Sequence, residues 1–114
     1  MATNDTPVPP DEGELQKLRD AIVALDDELI RLIGQRRELV LEIGALKERL
    51  GLPVLDPGRE AKVVRRAAER SRELGVDEEL TRDVIRRIIA SARAEQEGRT
   101  TWGPPDPPDS NDED

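Results

Sequence analysis

One long amphipathic segment dominates the first half of the sequence. Its large apolar residues recur at alternating intervals of four and three, which is the spacing of one face of an α-helix. These residues, hereafter the apolar seam, are Leu18, Ile22, Leu25, Leu29, Leu32, Leu39, Ile43, Leu46 and Leu50. Gly51 and Pro53, which follow the segment, are helix stop signals. The pattern predicts a single helix from about Glu14 to Leu50.

A helix of that length constrains the shape of the whole protein. It would extend roughly 55 Å at about 1.5 Å per residue. A compact globule of this chain length would measure only about 35 Å across. The helix must therefore protrude unless another chain covers it, and its apolar seam continues along most of its length. A homodimer is the most economical arrangement that would cover the seam.

The rest of the sequence predicts two shorter helices and no strand. Asp56 is placed to cap the start of a helix with Pro57 at its first position, and this helix should end at about Leu74, before Gly75. Asp77 should cap a third helix. The apolar residues are Val63, Val64, Ala67, Ala68 and Leu74 in the second helix, and Leu80, Val84, Ile85, Ile88, Ile89 and Ala92 in the third. The predicted fold class is all-α, with three helices.

Composition excludes several classes of chemistry. The 114 residues include no Cys and no His, and Trp102 is the only aromatic residue. The chain therefore lacks a thiolate nucleophile, an imidazole base and the ligands of an ordinary zinc site. A chain without Cys fits a reducing cytoplasm. Neither a signal peptide nor an apolar stretch as long as a membrane span is recognisable, so we predict a cytoplasmic protein without membrane contact.

The net charge of −8 is concentrated at the two ends of the chain. Residues 14–97 hold 17 basic and 18 acidic residues and form the predicted folded domain. Residues 1–13 and the acidic, Pro-rich residues 98–114 contain little that a core could bury, and we predict that both tails are disordered. The near-neutral domain has no basic stripe of the kind that binds nucleic acid.

Arg36 interrupts the apolar seam at a position where the spacing calls for an apolar residue. An unpaired cation is costly to bury there. Lys47, eleven residues later, lies only about 20° further around the helix and about 16 Å along its axis, so both cations point to the same side. Arg19 lies about 100° away around the helix. It would reach this cluster more easily from a neighbouring helix than from its own.

A second group of polar residues lies at the start of the second helix and the end of the third. Asp56, Arg59 and Glu60 begin the second helix, where capping and local ion pairing explain them well. Gln96 lies near the end of the third helix. With Arg36 and the other cations, these residues suit a small polyanionic ligand. They also suit a reaction that is accelerated by fixed charge and confinement and not by proton transfer.

Together, these residues and their spacing resemble the all-α chorismate mutase family over about residues 14–97. The resemblance rests on "LRDAIVALDDELIRLIGQRRELVLEIGALK" followed by "LPVLDPGRE". It implies three helices per subunit in an intertwined homodimer, with two active sites built between the long helices. It also implies the Claisen rearrangement of chorismate to prephenate in aromatic amino acid biosynthesis, without a metal or other cofactor.

The resemblance assigns most of the polar residues a role. Arg36 and Arg59 would bind the carboxylates of the substrate, and Arg19 would cross from the other subunit to bind a carboxylate as well. Lys47 and Gln96 would donate hydrogen bonds to the ether oxygen of the breaking C–O bond. The family thus implies Lys47, Gln96 and Arg36 as the catalytic residues.

The remaining implied contacts concern the ring of the substrate. Glu60 and the region of Asp56 would meet the ring hydroxyl group. The third helix departs from the family pattern, because Ala92 stands where a serine near a carboxylate is usual and Ser91 precedes it. One residue is 100° around a helix, so we do not expect Ser91 to replace that serine directly.

Several alternatives fit the same pattern. The substrate could be 4-amino-4-deoxychorismate, whose amine replaces the ring hydroxyl, or the protein could be a lyase that releases pyruvate from isochorismate. A non-enzymatic alternative is a helical dimerisation or regulatory module. A partner enzyme that activates the mutase is a further possibility that the sequence leaves open.

Overall fold

Three helices account for nearly all of the described chain. The computed structural model describes Pro9, residues 11–99 and Trp102. The helices are α1 (Glu12–Leu50), α2 (Pro57–Leu74) and α3 (Glu78–Gln96), and these residues form no strand. None of the helices in this part of the chain is long and apolar enough to cross a membrane. The all-α prediction, with a very long first helix, is confirmed.

The first helix begins two residues earlier than predicted. The Asp11 carboxylate accepts a hydrogen bond from the backbone N–H of Glu14 at 2.8 Å, which is the usual bond of an N-terminal cap. Glu12 and Glu14 lie in the first turn, where negative charge interacts favourably with the helix dipole. The end of the predicted N-terminal tail is therefore helical, while residues 1–8 and 10 lie outside the described residues.

The predicted caps of α2 and α3 are confirmed. The Asp56 carboxylate accepts a hydrogen bond from the backbone N–H of Arg59 at 3.1 Å. The Asp77 carboxylate accepts one from the backbone N–H of Glu79 at the same distance. Both bonds satisfy backbone donors that the first helical turn would otherwise leave without a partner.

Glycine ends both α1 and α2, as the sequence predicts. Gly51 and Gly75 both adopt φ of 72°, a left-handed conformation that is costly for residues with a Cβ atom. In both cases the next residue donates its backbone N–H to the carbonyl five residues before it, at 2.8 Å. This pattern is the Schellman motif, which satisfies the last carbonyls of a helix and turns the chain away from its axis.

The chain divides into two units, Met1–Glu38 and Leu39–Asp114, and α1 crosses the boundary between them. In the second unit α2 packs against α3. Ala68 on α2 has no exposed surface, and Ser71 one turn later is also buried. The Ser71 hydroxyl donates to the Ala68 carbonyl at 2.6 Å, so its polar group is satisfied. Small residues on α2 thus let the two helices approach closely.

The apolar seam of α1 remains exposed in the single chain. Its nine residues keep between 46% and 69% of their surface accessible. No described apolar residue other than Ala68 is fully buried. A contiguous apolar stripe of this length is typical of an interface, because burying it in contact with another apolar surface is the main favourable term in association.

We expect Ala68→Leu to destabilise the protein by about 1–3 kcal/mol, because the added atoms have no space between α2 and α3. Urea unfolding at fixed protein concentration measures the change. Glu69→Leu is the control, since it adds a leucine to the same helix at an exposed position and should change stability by less than about 0.5 kcal/mol. Equal effects of the two substitutions would contradict close packing at Ala68.

Candidate active site

Lys47 folds over the loop that follows α1. Its ammonium donates a hydrogen bond to the carbonyl oxygen of Val54 at 3.3 Å. The residue is half-buried, although it lies in the last turn of the helix. A lysine ammonium has three N–H donors, so two remain for a ligand after this bond is made.

The side chain of Gln96 approaches the same place from α3. A Cβ atom at Gly44 would lie 3.6 Å from the Nε2 atom of Gln96 and 3.9 Å from a methyl group of Val54. Gly44 and Lys47 are three residues apart on α1 and share a face of the helix. The Gln96 amide therefore lies beside Gly44, about one turn of α1 from Lys47, although Lys47 and Gln96 are 49 positions apart in the chain.

Glu60 forms an ion pair between α2 and α3. Its Oε1 atom accepts a hydrogen bond from the Nη2 atom of Arg93. The side chains of Glu60 and Arg93 keep 25% and 40% of their surface exposed, so the pair is partly removed from water. The Nε atom of Arg93 is buried and has no hydrogen-bond partner among the described residues.

The Glu60–Arg93 pair lies in a pocket of about 370 Å³ between α2 and α3. The lining residues are Pro57, Glu60, Ala61 and Val64 from α2, and Arg86, Ile89, Ala90 and Arg93 from α3. Apolar walls with a few charged groups are typical of sites for small polar molecules. The volume is in the range of small-ligand sites.

Sequence reasoning missed Arg93, although a signal was present. Arg93 continues the spacing of Ile85 and Ile89 on α3, so a cation again occupies a position in an apolar stripe. The same criterion singled out Arg36. The sequence alone did not show which acidic residue would face Arg93, because Glu60 lies 33 residues away in the chain.

Asp56 and Arg59 lie at the start of α2. Both are exposed, and the Asp56 carboxylate is used as the helix cap. The guanidinium of Arg59 forms no hydrogen bond or ion pair with the described residues. Capping therefore accounts for Asp56, whereas the local ion pair expected between Asp56 and the Arg59 guanidinium is not formed.

The two other predicted cations belong to the first unit. Arg36 is half-buried and Arg19 is exposed. Neither guanidinium forms a hydrogen bond or ion pair with the residues that the structure describes. The cation in the apolar seam thus has no counter-charge in the described part of the single chain.

The exposed ion pair between Glu28 and Arg31 on α1 changes a pKa only at the surface of that helix. Hydrogen bonds from the Arg31 guanidinium lower the pKa of the Glu28 carboxyl below its usual value. A carboxyl with a lowered pKa stabilises the folded state above its usual pKa, and this contribution is lost as the pH falls through the lowered value. Both residues are exposed, so the effect is screened by solvent and concerns the helix surface.

Ser91 is occupied by a contact that the sequence did not predict. Its hydroxyl oxygen accepts a hydrogen bond from the indole N–H of Trp102 at 2.9 Å. Trp102 is half-buried, although it belongs to the predicted disordered tail of residues 98–114. Most of that tail lies outside the described residues. The Ser91 hydroxyl keeps its own O–H donor after accepting this bond, and the expectation that it does not replace the serine of the family pattern stays a prediction.

No cluster of three or more acidic side chains in the described residues is placed to hold a metal ion. The predicted polar groups of the second unit lie at two places: the Lys47 ammonium and the Gln96 amide near the end of α1, and the Glu60 carboxylate, paired with the Arg93 guanidinium, between α2 and α3. Such groups bind and stabilise anions, and one of them can accept a hydrogen bond from a neutral donor.

Substitution of Gly44 tests the position of Gln96. Gly44→Ala should be tolerated and should stabilise the helix by up to about 1 kcal/mol, because the new contacts are at ordinary distances. Gly44→Leu should displace the Gln96 amide. Urea unfolding and the NMR resonances of the Gln96 side-chain amide measure the two effects.

Gly34 provides the matched control for Gly44, because a Cβ atom there would meet nothing within 4 Å. Gly34→Ala should give a similar gain in helix stability, and Gly34→Leu should leave the Gln96 amide resonances in place. If Gly44→Leu also left those resonances unchanged, Gln96 would not lie over Gly44.

Comparison with known proteins identifies the family. A family model described as chorismate mutase type II matches residues 18–97. The T-protein of Enterobacter agglomerans is 42% identical over 77 residues, which cover 68% of this chain and 21% of that protein. The chorismate mutase of Methanocaldococcus jannaschii is 29% identical over 83 residues, covering 73% of this chain and 84% of that protein.

A third relative is named for a different activity. The 4-amino-4-deoxychorismate mutase of Streptomyces venezuelae is 38% identical over 68 residues, covering 60% of this chain and 66% of that protein. No solved structure matches the chain. The chain spans about a fifth of the length of the T-proteins that it matches. The family model covers well over half of the chain, and the chain therefore belongs to the type II chorismate mutase family.

Proposed function

We propose that this chain catalyses the rearrangement of chorismate to prephenate, a step of aromatic amino acid biosynthesis. The observation that carries the proposal is the position of the Gln96 amide beside Gly44, about one turn of α1 from Lys47, in a member of this family. These two residues would supply a cation and an amide donor to one substrate. Neither group has to gain or lose a proton in the reaction.

The chemistry of the rearrangement explains why these groups suffice. In a Claisen rearrangement the C–O bond of the enolpyruvyl ether breaks while a C–C bond forms in the same step. Negative charge grows on the ether oxygen in the transition state, so a positioned cation stabilises the transition state more than the ground state. Lys47 retains two N–H donors for that oxygen, and Gln96 adds an amide donor.

In this proposal, arginine side chains bind the two carboxylates of the substrate. Arg36 and Arg59 have guanidinium groups without a described partner, and a guanidinium pairs with a carboxylate through two parallel hydrogen bonds. Holding both carboxylates would keep the enolpyruvyl group over the ring, which lowers the entropic part of the barrier. Glu60, with the region of Asp56, would accept a hydrogen bond from the ring hydroxyl.

We further propose that the active protein is a homodimer in which the partner subunit's Arg19 completes each site. The exposed apolar seam of α1 supports this arrangement, because a second copy presents an equally long apolar face. Arg19 itself is exposed and has no described partner in its own chain. A cytoplasmic location and an activating partner enzyme stay predictions.

A second candidate substrate is 4-amino-4-deoxychorismate. The similarity to a mutase named for that compound supports it. Steady-state assays with chorismate, 4-amino-4-deoxychorismate and isochorismate distinguish the candidates. Turnover of an analogue without turnover of chorismate would overturn the primary proposal, and the absence of any turnover by the dimer would favour a non-enzymatic module.

We expect Lys47→Met to lower kcat by about 10²–10³-fold, the usual cost of removing one donor to a developing negative charge. Stability should change little, since the Lys47 ammonium makes one hydrogen bond to the protein. Arg49→Met is the control, because Arg49 lies in the same turn and is exposed. Parallel losses of activity and stability in Lys47→Met would point to a structural role.

Mixing two inactive variants tests the shared site. In a mixed dimer of Arg19→Ala and Lys47→Met chains, one site would contain both substitutions and the other neither. An equimolar mixture that re-equilibrates should therefore recover about a quarter of the wild-type activity. Light scattering confirms that each variant is dimeric. Dimers whose mixture stays as inactive as its components would rule out a site shared between subunits.

A further inference from the structure

Arg93 is a cation in a place where an apolar residue would pack more simply. It follows Ile85 and Ile89 at intervals of four on α3, and it lines the pocket between α3 and α2 with Ile89. Its Nε atom is buried without a hydrogen-bond partner among the described residues. The guanidinium cannot release its proton, so the positive charge stays in the pocket.

Stability alone does not explain the pairing of Arg93 with Glu60. A partly buried ion pair gains little over well-packed apolar residues of similar size, because both charges lose hydration. Here one donor of the guanidinium also has no partner, which adds to the cost. The pair is better explained by its effect on the charge of the pocket.

The pair leaves Glu60 able to accept one more hydrogen bond. Arg93 occupies the Oε1 atom, and the Oε2 atom accepts no hydrogen bond from the described residues. Arg93 and Gln96 are three residues apart on α3 and share a face of the helix. The residue that pairs with Glu60 therefore lies about one helical turn from Gln96, a group that we propose for the reaction.

We propose that Arg93 is a specificity-determining residue that makes the site prefer a ring hydroxyl group over a ring ammonium group. This inference rests on the proposed function, in which Glu60 meets the ring substituent. Arg93 holds the Glu60 carboxylate through one oxygen and leaves the other to accept a hydrogen bond from a neutral hydroxyl. The positive charge of Arg93 also offsets the negative charge of Glu60, which would otherwise attract a cationic substrate group.

The two candidate substrates differ at this substituent. The amine of 4-amino-4-deoxychorismate is largely protonated near neutral pH, as alkyl amines are. A free carboxylate at Glu60 would attract this ammonium group, whereas the guanidinium of Arg93 beside it repels the ammonium. The hydroxyl of chorismate carries no charge and is less affected. Arg93 therefore separates the two substrates by charge.

The test compares specificity ratios, defined as kcat/KM for chorismate divided by kcat/KM for 4-amino-4-deoxychorismate. Arg93→Met keeps an unbranched stem in the pocket and removes the positive charge paired with Glu60, while Arg86 still lines the pocket, and we expect it to lower the ratio about tenfold or more. Arg93→Lys keeps the charge and should retain most of the ratio. Arg93→Gln, which is neutral but can still donate to Glu60, should lower the ratio as Arg93→Met does.

Arg87→Met is the matched control, since Arg87 is exposed on α3 and does not line the pocket. It should leave the ratio unchanged. Circular dichroism and light scattering identify variants that fail to fold, and the second neutral variant keeps the test available if one does.

Two results would overturn the inference. The first is that a neutral variant folds and lowers kcat/KM equally for both substrates. The second is that Arg93→Lys loses as much of the specificity ratio as Arg93→Met does. The proposed function fails separately, if the wild-type protein does not convert chorismate.

Discussion

The apolar seam along α1 is the constraint on which the rest of the protein depends. Its nine residues are all exposed in the single chain, and the packing of α2 against α3 buries only a small set of residues around Ala68. The described part of the single chain has little core of its own, and burial of apolar surface is the main favourable term in folding. In the homodimer that we propose, the seam of a second copy would supply an apolar surface of matching length. Folding and assembly of this protein would then be a single process.

Two arginines of this protein lie within apolar stripes of their helices. Arg36 interrupts the seam of α1, and Arg93 interrupts the stripe of α3 that faces α2. Fixed cations of this kind suit a reaction in which charge is redistributed and no proton moves. Such a reaction needs no imidazole base and no thiolate nucleophile, and the chain contains neither His nor Cys. The proposed roles differ, however, because Arg36 would bind substrate directly whereas Arg93 would act through Glu60.

Much of the fold could be predicted from local sequence signals. Asp56, Asp77 and Gly75 mark helix ends because capping and left-handed turns depend on a few adjacent residues. α1 starts two residues before its predicted position, because Asp11 caps it. The family that the sequence motifs predict is confirmed. Arg93 and Trp102 were missed because their partners, Glu60 and Ser91, are distant in sequence, and no local pattern encodes such a pairing.

The sequence by itself determined three helices, the caps of the second and third, a long apolar face on the first, and a set of fixed cations. These properties follow from periodicity, side-chain chemistry and the geometry of the helix. Only the tertiary structure decided that Gln96 lies beside Gly44, about one turn from Lys47, that Glu60 is paired with Arg93, and that Ser91 accepts a hydrogen bond from Trp102. The physical reason is that these contacts depend on how α3 packs with the rest of its unit. Close approach at small residues such as Gly44 and Ala68 fixes that packing. Small residues contribute almost nothing to the hydrophobic periodicity of the sequence, so the periodicity does not reveal these contacts.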